Sequence, residues 1–503
     1  MQLSADDVRT AVGGQWIVPP AAGNPAADGI RAFAPFMLHG VGTDTREDLR
    51  GRLFVALRGE RFDAHSFLAD AAARGAAAAL VDRKAPAGYA RPAGLPLLEV
   101  GDTRVALGDL ARTWRARLRA KVVAITGSSG KTTTRRLVDA ALGATMKGSA
   151  SPKSFNNDVG VPLTVLGAQG TDGYLVVEIG MNHPGEIAPL ARIAAPHVAI
   201  ITMAGRAHLG GMGSQQAIID EKCSLVDGLG TMGIAIVNGD QPALVAAVEA
   251  RVKPGVRVVT FGTTPGCQWR LAGRNPGAPG ASGGTGPAQV VTVAEPDGSE
   301  WSCGLGLPGD YNAMNALAAI AAARMLGVPA DAIAGALPAV LPAEMRMTRQ
   351  DVGGFAIFND AYNANPDAVQ AALRAFPEVA PAGARRVVVL GDMLELGAES
   401  AALHAEVGRA AVATAPALAV FVGTESAHGA AAVQAAGGAV QALHVPQLDD
   451  AGVTAIERAL RPGDAILLKG SRGSRMERLV EALSARAAGA AATGRGSVPC
   501  STT

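Results

Sequence analysis

Aromatic residues are scarce in this chain: Phe, Trp and Tyr make up 4% of its 503 residues. That scarcity argues against a base-stacking platform for single-stranded nucleic acid. Charge of one sign is also missing, with 45 Lys and Arg against 44 Asp and Glu and a formal net charge of +1. Without a broad basic field, no nucleic-acid partner is expected, and any anion site must be local. The four cysteines, Cys223, Cys267, Cys303 and Cys500, have neither metal-ligand nor disulfide-framework spacing. They read as reduced thiols of a cytoplasmic protein. No apolar run reaches the roughly 20 residues that span a bilayer, and the Ala-rich stretch Ala316–Ala323 is broken by Arg324. The first residues, Met1 to Asp7, carry no basic segment followed by an apolar one, so neither a signal peptide nor stable membrane insertion is expected.

Hydrophobic residues, by contrast, make up 49% of the chain, and its length suggests about three domains. Residues 1–118 alternate short apolar runs (53–57, 77–81, 97–100) with helix-like stretches, as a small α/β unit does. The basic segment Arg112–Arg119 reads as the solvated face of a helix. Over 119–343, strands are expected at Val122–Thr126, Tyr174–Ile179, Val198–Thr202 and Ile234–Val237, each followed by helix-compatible sequence. That is the pattern of a doubly wound parallel sheet, whose ligands lie beyond the carboxyl ends of the strands. The Gly/Pro-rich stretch 273–287 reads as a flexible insertion, and Pro338 and Pro342 mark a hinge. Over 344–487, strands at Phe355–Phe358, Val387–Leu390, Leu418–Val422 and Ala465–Leu468 predict another α/β domain, and 488–503 reads as a disordered tail.

The densest chemical signal is Val122–Thr133, VVAITGSSGKTT. An apolar strand runs into Gly127, Ser128, Ser129 and Gly130, and Lys131, Thr132 and Thr133 open a helix. Glycines let backbone N–H groups approach phosphate oxygens, the lysine reaches the terminal phosphates, and a Thr hydroxyl at this position ligates Mg2+. Ile125 stands where the longer form of the loop has its first glycine. Glu178 ends a strand expected beside that loop, well placed for a hard cation.

Other residues leave two readings open on the sequence alone. His208, in the Gly-rich loop AGRAHLGG, is a solvent-exposed loop histidine or a metal ligand. Lys222 is a surface helix residue in a salt bridge or a site residue. Asn312 and Asn315, one turn apart, cap a helix or face one ligand. Three polar loops follow successive C-terminal strands: Asp360–Pro366 (DAYNANP), Gly391–Gly397 (GDMLELG) and Lys469–Arg475 (KGSRGSR). Together they predict one rim facing the nucleotide.

Over roughly residues 40–487 these motifs resemble the ATP-dependent Mur ligases of peptidoglycan synthesis. The three C-terminal loops are similar to those of the branch that adds D-alanyl-D-alanine to UDP-N-acetylmuramoyl-tripeptide. The resemblance implies a three-domain α/β architecture: a UDP-substrate-binding N-terminal domain, a central ATPase domain, and a Rossmann-like C-terminal domain that closes over ATP. It implies ATP, two Mg2+ ions and a monomer. Glu178, His208 and Thr132 match metal ligands, and Lys222 matches a lysine carbamylated by CO2. Asn312, Asn315, Arg346 and Asp360 match nucleotide contacts. Thr45 and Arg46 match a segment at the UDP end, and Asn156 and Asn157 match a substrate-facing segment. Tyr362, Asn363, Asn365, Lys469, Ser471 and Arg475 fall in the D-alanyl-D-alanine branch's loops.

The chain departs from the family pattern at Tyr311, usually His, and at Gly210 and Ser224, often Glu. The implied reaction forms an acyl phosphate, which water destroys, so a form that is open without substrates and closes on them is expected. The alternatives are another amide ligase of the superfamily, such as a folylpolyglutamate-forming one, and an ATP-dependent regulatory protein.

Overall fold

The computed structural model describes residues 1–17, 37–60, 62–85, 89, 91–277 and 287–493. Three larger sheets follow one another along the chain, with a two-stranded pair near the start. The first large sheet has five strands, of which Val41–Gly42, Leu53–Val55, Ala78–Asp82 and Leu97–Val100 run parallel. Gln15–Ile17 is added antiparallel at its edge.

The second sheet has nine strands. Its strand Lys121–Thr126, third from one edge, lies between Tyr174–Glu178 and Val198–Ile201, both parallel to it. Register places Glu178 opposite Ile125 and Ile201 opposite Thr126, so the phosphate loop and Glu178 leave the sheet at one edge. Ile234–Asn238 and Arg257–Gly262 extend the parallel part. The sheet then turns into an antiparallel meander of Trp269–Pro276, Gln289–Ala294 and Glu300–Leu305. The purely parallel reading missed this meander. Residues 273–276, expected in a flexible insertion, belong to a paired strand, whereas 278–286 lie outside the described residues.

The helix Lys131–Gly143 buries Leu137, Val138, Ala141 and Leu142, the face that period-3.6 spacing predicts. It packs on Asp310–Met325, which is apolar almost all round and buried between its neighbours.

The third sheet has six strands, and Phe355–Asn359, Ala465–Lys469 and Arg386–Gly391 lie side by side in parallel. Their carboxyl ends carry the three polar loops. The last helix runs Glu477–Thr493, so the expected disorder from 488 does not hold for 488–493, where Ala favours helix. Residues 494–503 lie outside the described part. Among the described residues no helix is long and apolar enough to cross a membrane.

Two cross-boundary contacts position the site. The helix Thr103–Arg117 joins the first unit to the second: Trp114 donates its indole N–H to the Ala168 carbonyl at 3.0 Å. Arg115 is buried, not solvated as its basic stretch suggested, and donates to the carbonyls of Ala194 and Ala195, each at 2.8 Å, and of Leu118. The Ala194 and Ala195 carbonyls end a neighbouring helix, whose unpaired C-terminal oxygens favour a cation.

At the other boundary Arg206 donates its backbone N–H to Asp367 at 2.7 Å and its guanidinium to Asp367 and Glu406. Arg274 pairs with Glu378 across the same boundary. The third unit is thus seated on the second. Charge-assisted hydrogen bonds supply the attraction that sequence spacing could not reveal.

Arg115→Ala strips a donor from the carbonyls of Ala194, Ala195 and Leu118, two of them buried, and is expected to destabilise the protein by about 2 kcal/mol. Arg112→Ala, at an exposed position, is expected to stay within about 0.5 kcal/mol. Thermal melts of both variants test this, and equal melting temperatures would contradict the buried role of Arg115.

Candidate functional site

A cavity of about 590 Å3 opens where the second and third sheets meet. The phosphate loop forms its floor, with Ser128, Ser129, Gly130, Lys131, Thr132 and Thr133 lining it. Gly127 lies just behind, pressed against the Thr202 hydroxyl, which a Cβ would displace. Gly130 has φ +87, and a Cβ there would run into the Asn315 side chain. Both glycines are therefore required by space and by conformation, since Gly127 too has a positive φ of +154.

The loop is braced from the neighbouring strand end. Thr202 donates to the Ser129 carbonyl at 2.6 Å, and Ser128 exchanges hydrogen bonds with the Gly205 backbone, each at 2.9 Å. Lys131 Nζ donates to the Gly127 carbonyl at 2.7 Å. Burial lowers its pKa, Glu178 opposes that shift, and Arg346 adds to it.

Glu178 is 1% exposed. Its Oε1 accepts from Asn156 Nδ2 at 2.9 Å, while its Oε2 is buried without a hydrogen-bond partner. Arg135 Nε lies 3.5 Å from that oxygen. Glu178, with one carboxylate oxygen outside any hydrogen bond, and Thr132 line the same cavity, and together they form a donor set suited to Mg2+, which takes hard oxygen ligands. His208 also lines the cavity, against Glu395 of the third unit. Burial lowers the His208 pKa, Glu395 opposes that, and Lys131 and Lys222 add to it.

Lys222 departs from the surface reading. It is 2% exposed and lies behind the cavity wall rather than in the lining. Its side chain makes no hydrogen bond or ion pair among the described residues. Burial, then Lys131, push its pKa well down, with Glu221 opposing.

The third unit closes the cavity from above. Arg346 donates to the Thr132 hydroxyl at 3.2 Å and stacks on Tyr362, 4.4 Å from the ring centre. Tyr362 donates to Ser154 at 2.7 Å. Asn365 caps the helix Pro366–Val379 and reaches Ser129 at 3.2 Å. Asp360, Asn363 and Lys469 line the cavity too. Lys469 Nζ, however, is held by the Asp360 carboxylate at 2.8 Å and by the Asn363 carbonyl at 2.7 Å, so it shapes the loop. Asn312 and Asn315 line the opposite wall, braced on each other at 3.3 Å. Asn156 and Asn157 line the entrance, the latter also capping a helix through the Gly160 N–H.

Not every expected residue reaches the cavity. Thr45 and Arg46 lie on the first unit outside its lining, with exposed Arg46 paired to Asp44. Ser471 is buried and spends its hydroxyl on the Asp392 carbonyl, bracing the neighbouring loop. Arg475 is exposed at a left-handed helix end and lines nothing there.

Sequence reasoning passed over Arg135, Arg206 and Glu395. Arg135 was findable, since it lies one helical turn beyond Lys131 on the same face. The other two meet their partners only through tertiary closure. Gly130→Ala forces an L-residue into the left-handed region at about 1–2 kcal/mol. Affinity for an ATP analogue should fall about tenfold by calorimetry, and unchanged affinity would show that the loop tolerates a side chain there.

Three family models match consecutive stretches: the Mur ligase family catalytic domain over 37–115, the Mur ligase middle domain over 125–323, and the Mur ligase glutamate ligase domain over 345–472. The chain is 36% identical to an Escherichia coli protein named UDP-N-acetylmuramoyl-tripeptide--D-alanyl-D-alanine ligase, over 90% of this chain and 94% of that one. It is 34% identical to the Bacillus subtilis protein of the same name, over 89% and 93%. A crystal structure of MurF from Acinetobacter baumannii superposes with a TM-score of 0.80 at 28% identity, covering 96% of this chain and 99% of that one. MurF from Thermotoga maritima, solved with ADP, gives 0.73 at 25% identity, covering 90% and 98%. With models of the family covering most of its length and relatives above 30% identity along nearly all of it, this chain belongs to the Mur ligase family.

Proposed function

We propose that this protein is the ATP-dependent ligase that adds D-alanyl-D-alanine to UDP-N-acetylmuramoyl-tripeptide, giving the pentapeptide precursor of peptidoglycan. The observation that carries the reading is the convergence of the phosphate loop, the buried free oxygen of Glu178 and the DAYNANP loop on one cavity. Similarity to relatives with that name over about nine-tenths of the chain supports it. In this reading the parts serve as a UDP-substrate-binding domain (1–118), an ATP-binding domain (119–343) and a D-alanyl-D-alanine-binding, closing domain (344–487). The enzyme acts in the cytoplasm as a monomer.

The terminal carboxylate of the tripeptide attacks the γ-phosphorus, the bond to the β-phosphate oxygen breaks, and ADP leaves. The amine of D-alanyl-D-alanine then attacks the acyl carbon, loses its proton, and phosphate departs. Such transfer depends on positioning and on neutralising charge more than on covalent help. Loop N–H groups and Lys131 hold the phosphates in that scheme, and Arg346 reaches them from the closing side. Asn365 and Tyr362, bonded to Ser129 and Ser154, keep the third unit seated and water out.

Thr132, Glu178 and His208 would hold Mg2+, which when bound neutralises charge on the transferring phosphate. Lys222, buried with its side chain in no ion pair, suits carbamylation: the neutral amine attacks CO2, gives up a proton, and becomes an anion able to take a second Mg2+. Asn312, Asn315 and Asp360 would contact the nucleotide. Asn156, Asn157 and Asn363 would face the peptide substrates. Thr45 and Arg46 would meet the distal UDP end.

Phosphate release from ATP should require both tripeptide substrate and D-alanyl-D-alanine, with a pentapeptide product by mass. Release indifferent to both would favour the regulatory alternative, and release with another amino acid would favour a different ligase. Lys222→Ala should lose at least about 100-fold in ligation rate, partly restored by added short carboxylates. A fully active variant would remove the carbamate.

A further inference from the structure

The loop Gly391–Gly397 of the third unit makes a two-point contact with the His208 loop of the second. Glu395 places a carboxylate oxygen against His208 Nδ1, and its backbone carbonyl accepts the Gly210 N–H at 2.8 Å. Both facing residues sit in the left-handed region, His208 at φ +61 and Glu395 at φ +63. A non-glycine residue there costs on the order of 1 kcal/mol and persists only where surroundings impose it. Two such residues meeting across a boundary mark a contact that both loops are shaped to make.

The surroundings are also built for it. A Cβ on Gly210 would lie 3.1 Å from the Gly397 nitrogen and 3.2 Å from the Glu395 carbonyl oxygen, so a side chain there would push the loop away. The loop carrying Glu395 is pinned from three directions. Ser471 donates to the Asp392 carbonyl, Ser426 donates to the Asp392 carboxylate at 2.7 Å, and the Met393 N–H donates to His404 Nε2 at 3.0 Å. This gives Ser471 a role: it fixes the loop rather than touching the cavity.

We infer that Glu395 is a positioning residue for His208, completing a carboxylate–histidine pair only when the third unit is seated, so that domain closure prepares the metal site. With a carboxylate at Nδ1, that nitrogen carries the proton and Nε2 keeps a free lone pair on a residue that lines the cavity. A histidine that ligates a metal needs its other nitrogen held in this way. On its own loop the chain has Gly210 at the position of the expected carboxylate, and the acid arrives instead from the partner unit. The inference rests on the ligase reading in taking His208 as a metal ligand.

The test uses Mn2+ as probe, titrated into the full-length protein with a non-hydrolysable ATP analogue and followed by the electron paramagnetic resonance of free Mn2+. Glu395→Gln, nearly isosteric, should weaken Mn2+ binding about tenfold. In a His208→Ala background the same substitution should add almost nothing, because Glu395 acts through His208. Wild-type affinity in Glu395→Gln, or an equal loss in both backgrounds, would overturn the positioning role. A parallel wild-type ligation assay separates the two readings. Absence of ligation removes the ligase assignment, whereas ligation with unaltered Mn2+ affinity in Glu395→Gln removes only the role of Glu395.

Discussion

The site is organised by an excess of buried and half-buried positive charge. Lys131, Lys222 and Arg135 all lie in or behind the cavity wall, Arg346 reaches in from the closing unit, and the buried carboxylates Glu178 and Glu221 offset them only in part. Burying an ammonium is costly unless an anion accompanies it. The phosphates of a nucleotide supply that anion at Lys131, and a carbamate would convert Lys222 itself. The same imbalance explains why a chain of nearly neutral net charge has a strong anion site: the charge is concentrated rather than spread.

That concentration needs rigid walls, and the parallel sheets provide them. The phosphate loop leaves its strand beside Glu178 because register fixes both at one edge. Thr202 and Gly205, on the loop following the next strand, hold the phosphate loop's backbone in shape. The third unit presents its loops in the same manner, from the ends of three adjacent parallel strands. Two sheets facing each other through their carboxyl ends create a cavity that neither has alone. Arg206, bonded to Asp367 and Glu406, holds them at that distance.

Many elements were legible because their signals are local. Apolar runs bounded by turns marked the central and C-terminal parallel strands, and the face of Lys131–Gly143 followed from spacing. The antiparallel meander was not legible, since Trp269–Pro276 carries Gly273 and runs into a Gly/Pro-rich stretch that mimics a loop; pairing with Gln289–Ala294 makes it a strand. Arg115 read as solvated because its basic neighbours are, yet the helix end it caps belongs to residues about 80 positions away.

The sequence by itself determined the phosphate loop, the carboxylate beside it, the three C-terminal loops and the family, all of which are written in contiguous residues. Tertiary structure alone decided what each polar group does. It put Lys469 and Ser471 to work holding loops, buried Lys222, left Arg475 outside the cavity and brought Glu395 to His208 across a domain boundary. The reason is physical: a side chain's role is set by what shares its burial and hydrogen bonds, and those partners are chosen by how separate sheets pack, which no local spacing encodes.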